Sequence, residues 1–345
     1  MPDVTPDLAA IQVAARKLEE GELVAFPTET VYGLGADAEN PQAVAKIYAA
    51  KGRPSNHPVI VHLAPEADIA YWAQSVPAEA RKLIDAFWPG PLTLILKRAT
   101  HIPDAVSGGQ DSIGLRCPSH PVAQALLRAF KGGSGGVAAP SANRFGHVSP
   151  TTAQHVRDEF GTGLGSPLGC ILDGGQSEVG IESTILDLSR MATSGPVLLR
   201  PGHISATSIA ETIGIAPRLP DAAAPRASGT LDAHYAPITP VALVNRDELS
   251  DTIQQLNGAG IRTALIRRLA PAIPNVVAQL ALPIDPAGYA HDLYAALRAM
   301  DTVNSDIILI EALPVEDQWQ GVNDRLRRAA HDSQGVLARL LKAKP

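Results

Sequence analysis

Four cations stand where apolar runs or helical stretches end. Lys51 and Arg53 precede the run Val59 to Leu63, Arg116 closes SIGLR, and Arg200 closes VLLR. Hydroxyls gather at similar places, at Thr30, Ser112, Ser141, Ser149 and Ser183. A guanidinium grips phosphate or carboxylate in bidentate fashion, and each hydrogen bond to a charged group contributes roughly 1.5–3 kcal/mol. Several such groups in one cleft suit a triphosphate and a carboxylate. A single Arg or Ser is more often a surface charge or a satisfied core partner. What favours a site is that all four recur beside Gly- or Pro-marked loops.

Other chemistries are less well supported. The sequence has no Gly-x4-Gly-Lys-Ser/Thr loop, no Gly-x-Gly-x-x-Gly after a strand and no His-Glu-x-x-His. Glu29 could serve as a base, but no second carboxylate is paired with it in sequence. His62 reads as a core histidine and His57 as a loop residue. Cys117 has no basic partner beyond Arg116 and reads as buried and inert.

These side chains need strand ends to hold them. Leu23 to Phe26 is a short apolar run, followed by a polar loop from Pro27 to Asp37. A helix then begins at the N-cap Asn40 with Pro41 in its first turn, runs through Val44, Ile47 and Tyr48, and stops at Gly52. With the strand Val59 to Leu63 this reads as a βαβ unit, whose strand ends are where open α/β sheets build sites. Before it, Asp7 to Glu20 reads as an amphipathic helix with Leu8, Ile11, Ala15 and Leu18 inward. After it come helices over 65–72, 77–87 and 121–130 and a helix starting near Pro150. Strands are expected at 92–96, 112–116, 137–139, 170–172, 184–188 and 197–199. A helix from Ser205 to Ile213 ends a first domain at residues 1–213.

Residues 214–240 are rich in Pro and Ala without apolar periodicity, so they read as a linker that is either a spacer or a lid. His234 and Tyr235 are its lid candidates. Residues 241–345 alternate again, with strands at 241–244, 263–266 and 307–310. Helices at 248–256, 289–300 and, last and basic, 323–330 complete a small α/β domain with a parallel sheet.

The chain has 345 residues, 45% hydrophobic and 19% charged, with a formal net charge of −6. That length favours two domains. The acidic balance disfavours a large nucleic-acid face held through phosphates. Two cysteines, Cys117 and Cys170, exclude a disulfide framework and give no zinc signature. The N-terminus lacks a signal-peptide pattern and no apolar segment reaches the ~20 residues that span a bilayer, so a cytoplasmic protein is expected.

Four separated motifs, PTETVYGLG, KGRPSNHPVIVH, APSANRFGHVSPT and GIESTILD, resemble the YrdC-like domain of L-threonylcarbamoyladenylate synthases. Residues 228–345 resemble the linker and C-terminal domain of the long form. The resemblance implies an α/β fold, with a YrdC-like twisted sheet domain flanked by helices and a smaller Rossmann-like domain. It implies a nucleotidyltransferase making L-threonylcarbamoyl-AMP from L-threonine, bicarbonate and ATP with Mg²⁺, for a downstream tRNA threonylcarbamoyl transferase complex. Positions matching Thr30, His62, Arg116, Ala139 and Ser183 surround L-threonine in that family. Those matching Arg53, His57, Ser112, Ser141, Asn143, Ser149 and Arg200 are implied for ATP, with Lys51 and Arg53 as the catalytic basic pair. An RNA-binding module of the same fold and a carbamoyl transferase with another acceptor remain as alternatives. The acidic charge weighs against the first, and the absence of acylphosphatase-like and Cys-rich segments against the second.

Overall fold

The computed structural model describes residues 5–229 and 235–342. They divide into two compact units, residues 1–145 with 149–230, and residues 146–148 with 231–345. Among the described residues the first unit holds one sheet of nine strands. They are β1 (Leu23–Phe26), β2 (Gly33–Asp37), β3 (Ile60–Leu63), β4 (Leu92–Lys97), β5 (Ser112–Arg116), β6 (Gly136–Ala138), β7 (Leu168–Ile171), β8 (Thr184–Asp187) and β9 (Val197–Arg200). Their spatial order is β7-β1-β2-β6-β3-β5-β4-β8-β9, a mixed sheet.

Local chemistry sets the first helices. The Asp7 carboxylate accepts from the N–H groups of Ala9 and Ala10 and starts the helix Leu8–Glu19. Asn40 does the same for Gln42 and Ala43 at the head of Pro41–Lys51. Gly52, at φ 64°, takes the left-handed conformation that ends this helix and turns Arg53 back toward the sheet. Leu8, expected inward, is 70% exposed, because a residue beside the cap lies before the helix has met the core. Ala14 is buried in that face instead.

The expected βαβ unit is corrected. Gly33–Asp37, read as part of a loop, is a strand antiparallel to β1, with Val24 opposite Gly35 and Phe26 opposite Gly33. β3 lies beyond β6 and pairs with β5 in parallel. Glycine hid this strand: a Cβ on Gly35 would stand 2.9 Å from the Phe26 ring and from Val137. Bare backbone is what lets β1 and β6 close on β2, and bare backbone carries no apolar pattern. The helix expected over 65–72 shrinks to Ile69–Trp72, capped by Asp68.

The first half of the linker is a strap laid on this unit rather than a free spacer. Arg218 exchanges backbone hydrogen bonds with the β9 region, Leu198 N to Arg218 O at 2.9 Å and Arg218 N to Pro196 O at 2.9 Å. Farther on, Gln110 pairs its amide with the backbone of Arg226 at 2.7 and 3.1 Å. Ala224 and Ala227 pack against Ile60, Ile95, Ile185, Val197 and Leu199.

Among the described residues the second unit holds a four-stranded parallel sheet with order β10-β13-β11-β12. The strands are β10 (Val241–Val244), β11 (Thr263–Arg267), β12 (Ala278–Ala281) and β13 (Ile307–Glu311). β12 was missing from the sequence reading because its half-exposed AQLA carries no β-branched residue. The helix expected at 323–330 runs Gln320–Ala329 and is not the last, since Ser333–Lys342 follows. Among the described residues no helix is long and apolar enough to cross a membrane.

Candidate active site

The PTETVYG loop is buried and braced by its own hydroxyls. Thr28 Oγ1 lies 2.9 Å from Thr30 Oγ1 and donates to the Val31 carbonyl at 2.6 Å. Glu29, on the same loop, is 3% exposed. Its Oε1 receives Arg116 Nη2 at 2.7 Å and its Oε2 receives the Ser119 N–H at 3.1 Å. Arg116 Nε also donates to the Gly90 carbonyl at 3.3 Å. Both carboxylate oxygens are therefore committed to holding structure, and Glu29 acts here as the residue that aims Arg116.

His62 on β3 stands in register with Arg116 on β5. It is buried, its ring meets Phe26 edge-on at 6.0 Å, and its Nδ1 has no partner among the described residues. Burial, and then the Arg116 guanidinium, push the imidazole down from 6.5 to about 3. A neutral ring in this position can hydrogen-bond a substrate but adds no charge. Between pH 6.5 and about 3 the unfolded chain binds a proton that the folded chain refuses, so this contribution is full above 6.5 and is lost as pH falls toward 3. Imidazole NMR should show no His62 titration between pH 8 and 5, and an ordinary midpoint near 6.5 would overturn the assignment.

Ala139 is buried next to this region, its N–H bonded to the Ile60 carbonyl at 2.9 Å. Ser183, just before β8, has its Oγ 2.7 Å from Thr93 Oγ1. Arg200 at the end of β9 reaches across to it. Its Nε and Nη2 donate to the Ser183 carbonyl at 3.0 and 2.9 Å, and Nη2 reaches Ser183 Oγ at 3.1 Å. A residue implied for threonine and one implied for ATP thus meet directly.

Arg200 and Arg53 also share a partner. Arg200 Nη1 donates to the Ser228 carbonyl at 2.9 Å, and Arg53 Nη2 lies 3.1 Å from Ser228 Oγ and 2.9 Å from the Pro58 carbonyl. Arg53 is 9% exposed and tied to two segments, so it bears on stability as well as on the site. Ser228, at the end of the strap, is the residue that covers both guanidinium groups. The sequence reading had named it only as the start of a tract.

Lys51 is buried, and its ammonium donates to the carbonyls of Ser141 at 2.6 Å and Asn143 at 2.5 Å. Burial, then Arg53, hold its pKa well below the usual lysine value. The group implied as catalytic is committed to fixing the APSANR loop, which brings half-buried Ser141 and buried Asn143 to this end of the sheet. Ser149 Oγ donates to Glu182 Oε1 at 2.5 Å, beside Ser183 in the chain. Glu182 escaped the sequence reading although GIES contains it.

Two candidates stand apart from this network. Ser112 is buried at the start of β5, opposite Lys97. His57 is half-buried, edge-on to Phe145 at 5.7 Å, its pKa lowered by burial and then by Arg53 and Arg226. His234 lies outside the described residues. Tyr235, the other lid candidate, is 1% exposed within the second unit, against Tyr294 at 5.9 Å and under the Arg325 guanidinium at 5.4 Å. Its ring is a packed element of that unit. Cys117 is buried as expected, and burial pushes its thiol up to about 12.

The comparisons with known proteins agree with one another. Residues 16–202 match the family described as telomere recombination, and residues 204–331 match the family described as threonylcarbamoyl-AMP synthase, C-terminal domain. The threonylcarbamoyl-AMP synthase of Pyrococcus abyssi is 37% identical over 93% of this chain and 94% of its own length. That of Bacillus subtilis is 38% identical over 95% and 96%. The crystal structure of Pyrococcus abyssi Sua5 complexed with L-threonine superposes with a TM-score of 0.86, at 35% identity, covering 95% of this chain and 96% of that one. With both of its units matched at this identity and coverage, the chain belongs to the threonylcarbamoyl-AMP synthase family.

Proposed function

We propose that this chain joins L-threonine, bicarbonate and ATP into L-threonylcarbamoyl-AMP and releases pyrophosphate. The observation that carries the reading is Arg200, whose one guanidinium holds Ser183 on one side and the strap at Ser228 on the other. Substrate groups implied for Ser183 and for Arg53 and Arg200 would therefore lie side by side, which is what a condensation between them requires.

The threonine amine, once deprotonated, adds to the bicarbonate carbon, the C–OH bond breaks and the hydroxyl leaves as water with a proton from the amine, and the resulting carbamate keeps one negative oxygen. That oxygen attacks the α-phosphorus, the bond to the β-phosphate oxygen breaks, and pyrophosphate leaves with the electron pair. Arg116, aimed by Glu29, meets the threonine carboxylate; Thr30, Ser183 and neutral His62 hydrogen-bond the rest of the amino acid. Arg53 and Arg200 stabilise the charge that develops on the phosphates. Lys51 keeps the loop of Ser141 and Asn143 in place.

Among the described residues no cluster of three His, Cys, Asp or Glu side chains could cage a metal. Magnesium accordingly fits this site as an ion carried by the triphosphate, where it would offset phosphate charge, and no protein step is assigned to it. The product is a mixed anhydride and an acyl donor, suited to consumption by a tRNA threonylcarbamoyl transferase. The acidic chain itself needs no large nucleic-acid face.

The test is pyrophosphate release by purified protein with ATP and single amino acids. Release above background should require threonine and bicarbonate together. Equal release with threonine omitted would overturn the reading.

A further inference from the structure

The second unit carries a feature that nothing in the first unit's chemistry uses. In its sheet the chain steps from β10 to β11 to β12 in one direction, then doubles back to β13 between β10 and β11. Leaving β11 it heads for β12; leaving β13 it enters helices 320–329 and 333–342, which pack against β10. The carboxyl ends of β11 and β13 are therefore the place where neighbouring strands send their connections opposite ways. Open α/β sheets hold their ligands, and commonly a ligand's phosphate, in the crevice at that point.

Three consecutive backbone N–H groups, from Arg268, Leu269 and Ala270, converge there just after β11. Consecutive N–H groups pointing to one spot make an anion cradle. This one is filled. Glu311, the last residue of β13, places Oε2 at 2.6, 2.9 and 2.9 Å from the three nitrogens. The residue is 2% exposed and forms no ion pair among the described residues. Among the described residues its carboxylate is held by these N–H groups.

The surroundings are aromatic and buried. The Arg268 guanidinium stacks on Trp319 at 5.0 Å, and Tyr289 meets the same indole edge-on at 5.7 Å. The Tyr289 hydroxyl is fully buried with no partner among the described residues, although Glu311 and Arg268 both act on it electrostatically. An orphaned donor in such a place is a cost without a structural return.

We propose that the switch point of the second unit is an anion-binding site, of carboxylate or phosphate class, which the chain occupies with its own Glu311. While Glu311 is seated, the unit offers no phosphate cradle. Removing the side chain should vacate it for a small anion. Glu311→Ala is the test, made in the full-length chain. The variant should melt roughly 5–10 °C below wild type, and acetate at high millimolar concentration should restore about half of that loss relative to chloride at equal ionic strength. Wild type should gain nothing beyond the salt control. A parallel arm with inorganic phosphate separates the two anion classes: rescue by acetate alone defines a carboxylate cradle, rescue by both a general oxyanion cradle.

Glu311→Gln guards against a variant that fails to fold. It keeps an oxygen in the cradle, so it should fold, melt below wild type and gain nothing from either anion. Amide exchange across residues 268–270 gives a second reading, faster in both variants and slowed by acetate only in Glu311→Ala. A Glu311→Ala protein that melts with wild type, or one that no anion rescues, overturns the proposal. So does rescue of Glu311→Gln equal to that of Glu311→Ala.

Discussion

Glu29→Ala should lose about 3–5 kcal/mol of stability in the first unit, the usual result of removing one partner from a buried ion pair. Both side chains are almost wholly out of water, at 4% and 5% exposure, so solvent screening does not soften the loss. Arg116 would keep only its long contact to Gly90, at 3.3 Å, and Ser119 would lose its N–H acceptor. The guanidinium would then no longer be aimed, and the threonine concentration needed for half-maximal rate should rise at least tenfold. Glu29→Gln separates this positioning role from a base. The amide keeps an oxygen for Arg116 but turns N–H donors toward Ser119, so part of the stability and most of the turnover number should survive. Urea midpoints and a split of KM for threonine against kcat check both variants. Loss of kcat in Glu29→Gln with KM unchanged would make Glu29 a proton acceptor and sink the positioning account.

The distance between sequence and structure was small where a residue's own chemistry sets its conformation. Asp7 and Asn40 cap the helices that follow them, and Gly52 ends one in the left-handed conformation its lack of Cβ allows. Strands rich in Leu, Ile and Val, such as 307–311, were visible for the same reason. β2 was not visible. Its GLGAD is a strand because Phe26 and Val137 crowd it from both sides, which is tertiary information. β7 and β12 are half-exposed sheet edges, and their patterns are correspondingly weak.

The candidate site divides along the same line. Residue types at strand ends pointed to Arg53, Arg116 and Arg200, and the motif resemblance supplied their grouping. Neither could show what each cation is bonded to. That Lys51 holds two carbonyls, that Glu29 spends both oxygens on Arg116 and Ser119, and that Tyr235 is core are facts of packing between segments far apart in sequence. They change the roles of the residues more than their membership. A base candidate becomes a support, and Ser228 becomes a shared partner of Arg53 and Arg200.

Arg200→Ala should be the most damaging single change to catalysis. The guanidinium makes three contacts to Ser183 and one to the Ser228 carbonyl, from a side chain that is 3% exposed. In the proposed function, deleting it removes a cation meant for the phosphates, and it also frees the strand end that presents Ser183. Two lost charged hydrogen bonds at roughly 1.5–3 kcal/mol each correspond to a hundredfold to ten-thousandfold fall in kcat/KM. Because one group serves both sides, the dependence on ATP and on threonine should weaken together. Arg200→Lys keeps the charge but offers a point donor instead of a fork, so it should recover charge-dependent ATP use more than threonine use. Ser228→Ala supplies the contrast: it deletes the hydroxyl near Arg53 and leaves the carbonyl that Arg200 binds, so a change of only a few-fold is expected. Steady-state rates with each substrate varied in turn, alongside thermal melts, distinguish these outcomes. An Arg200→Ala enzyme whose ATP dependence collapses while its threonine dependence stays normal would separate the two halves of the site. The guanidinium would then be a phosphate ligand alone, and its contacts to Ser183 would be support for the strand end rather than a link between substrates.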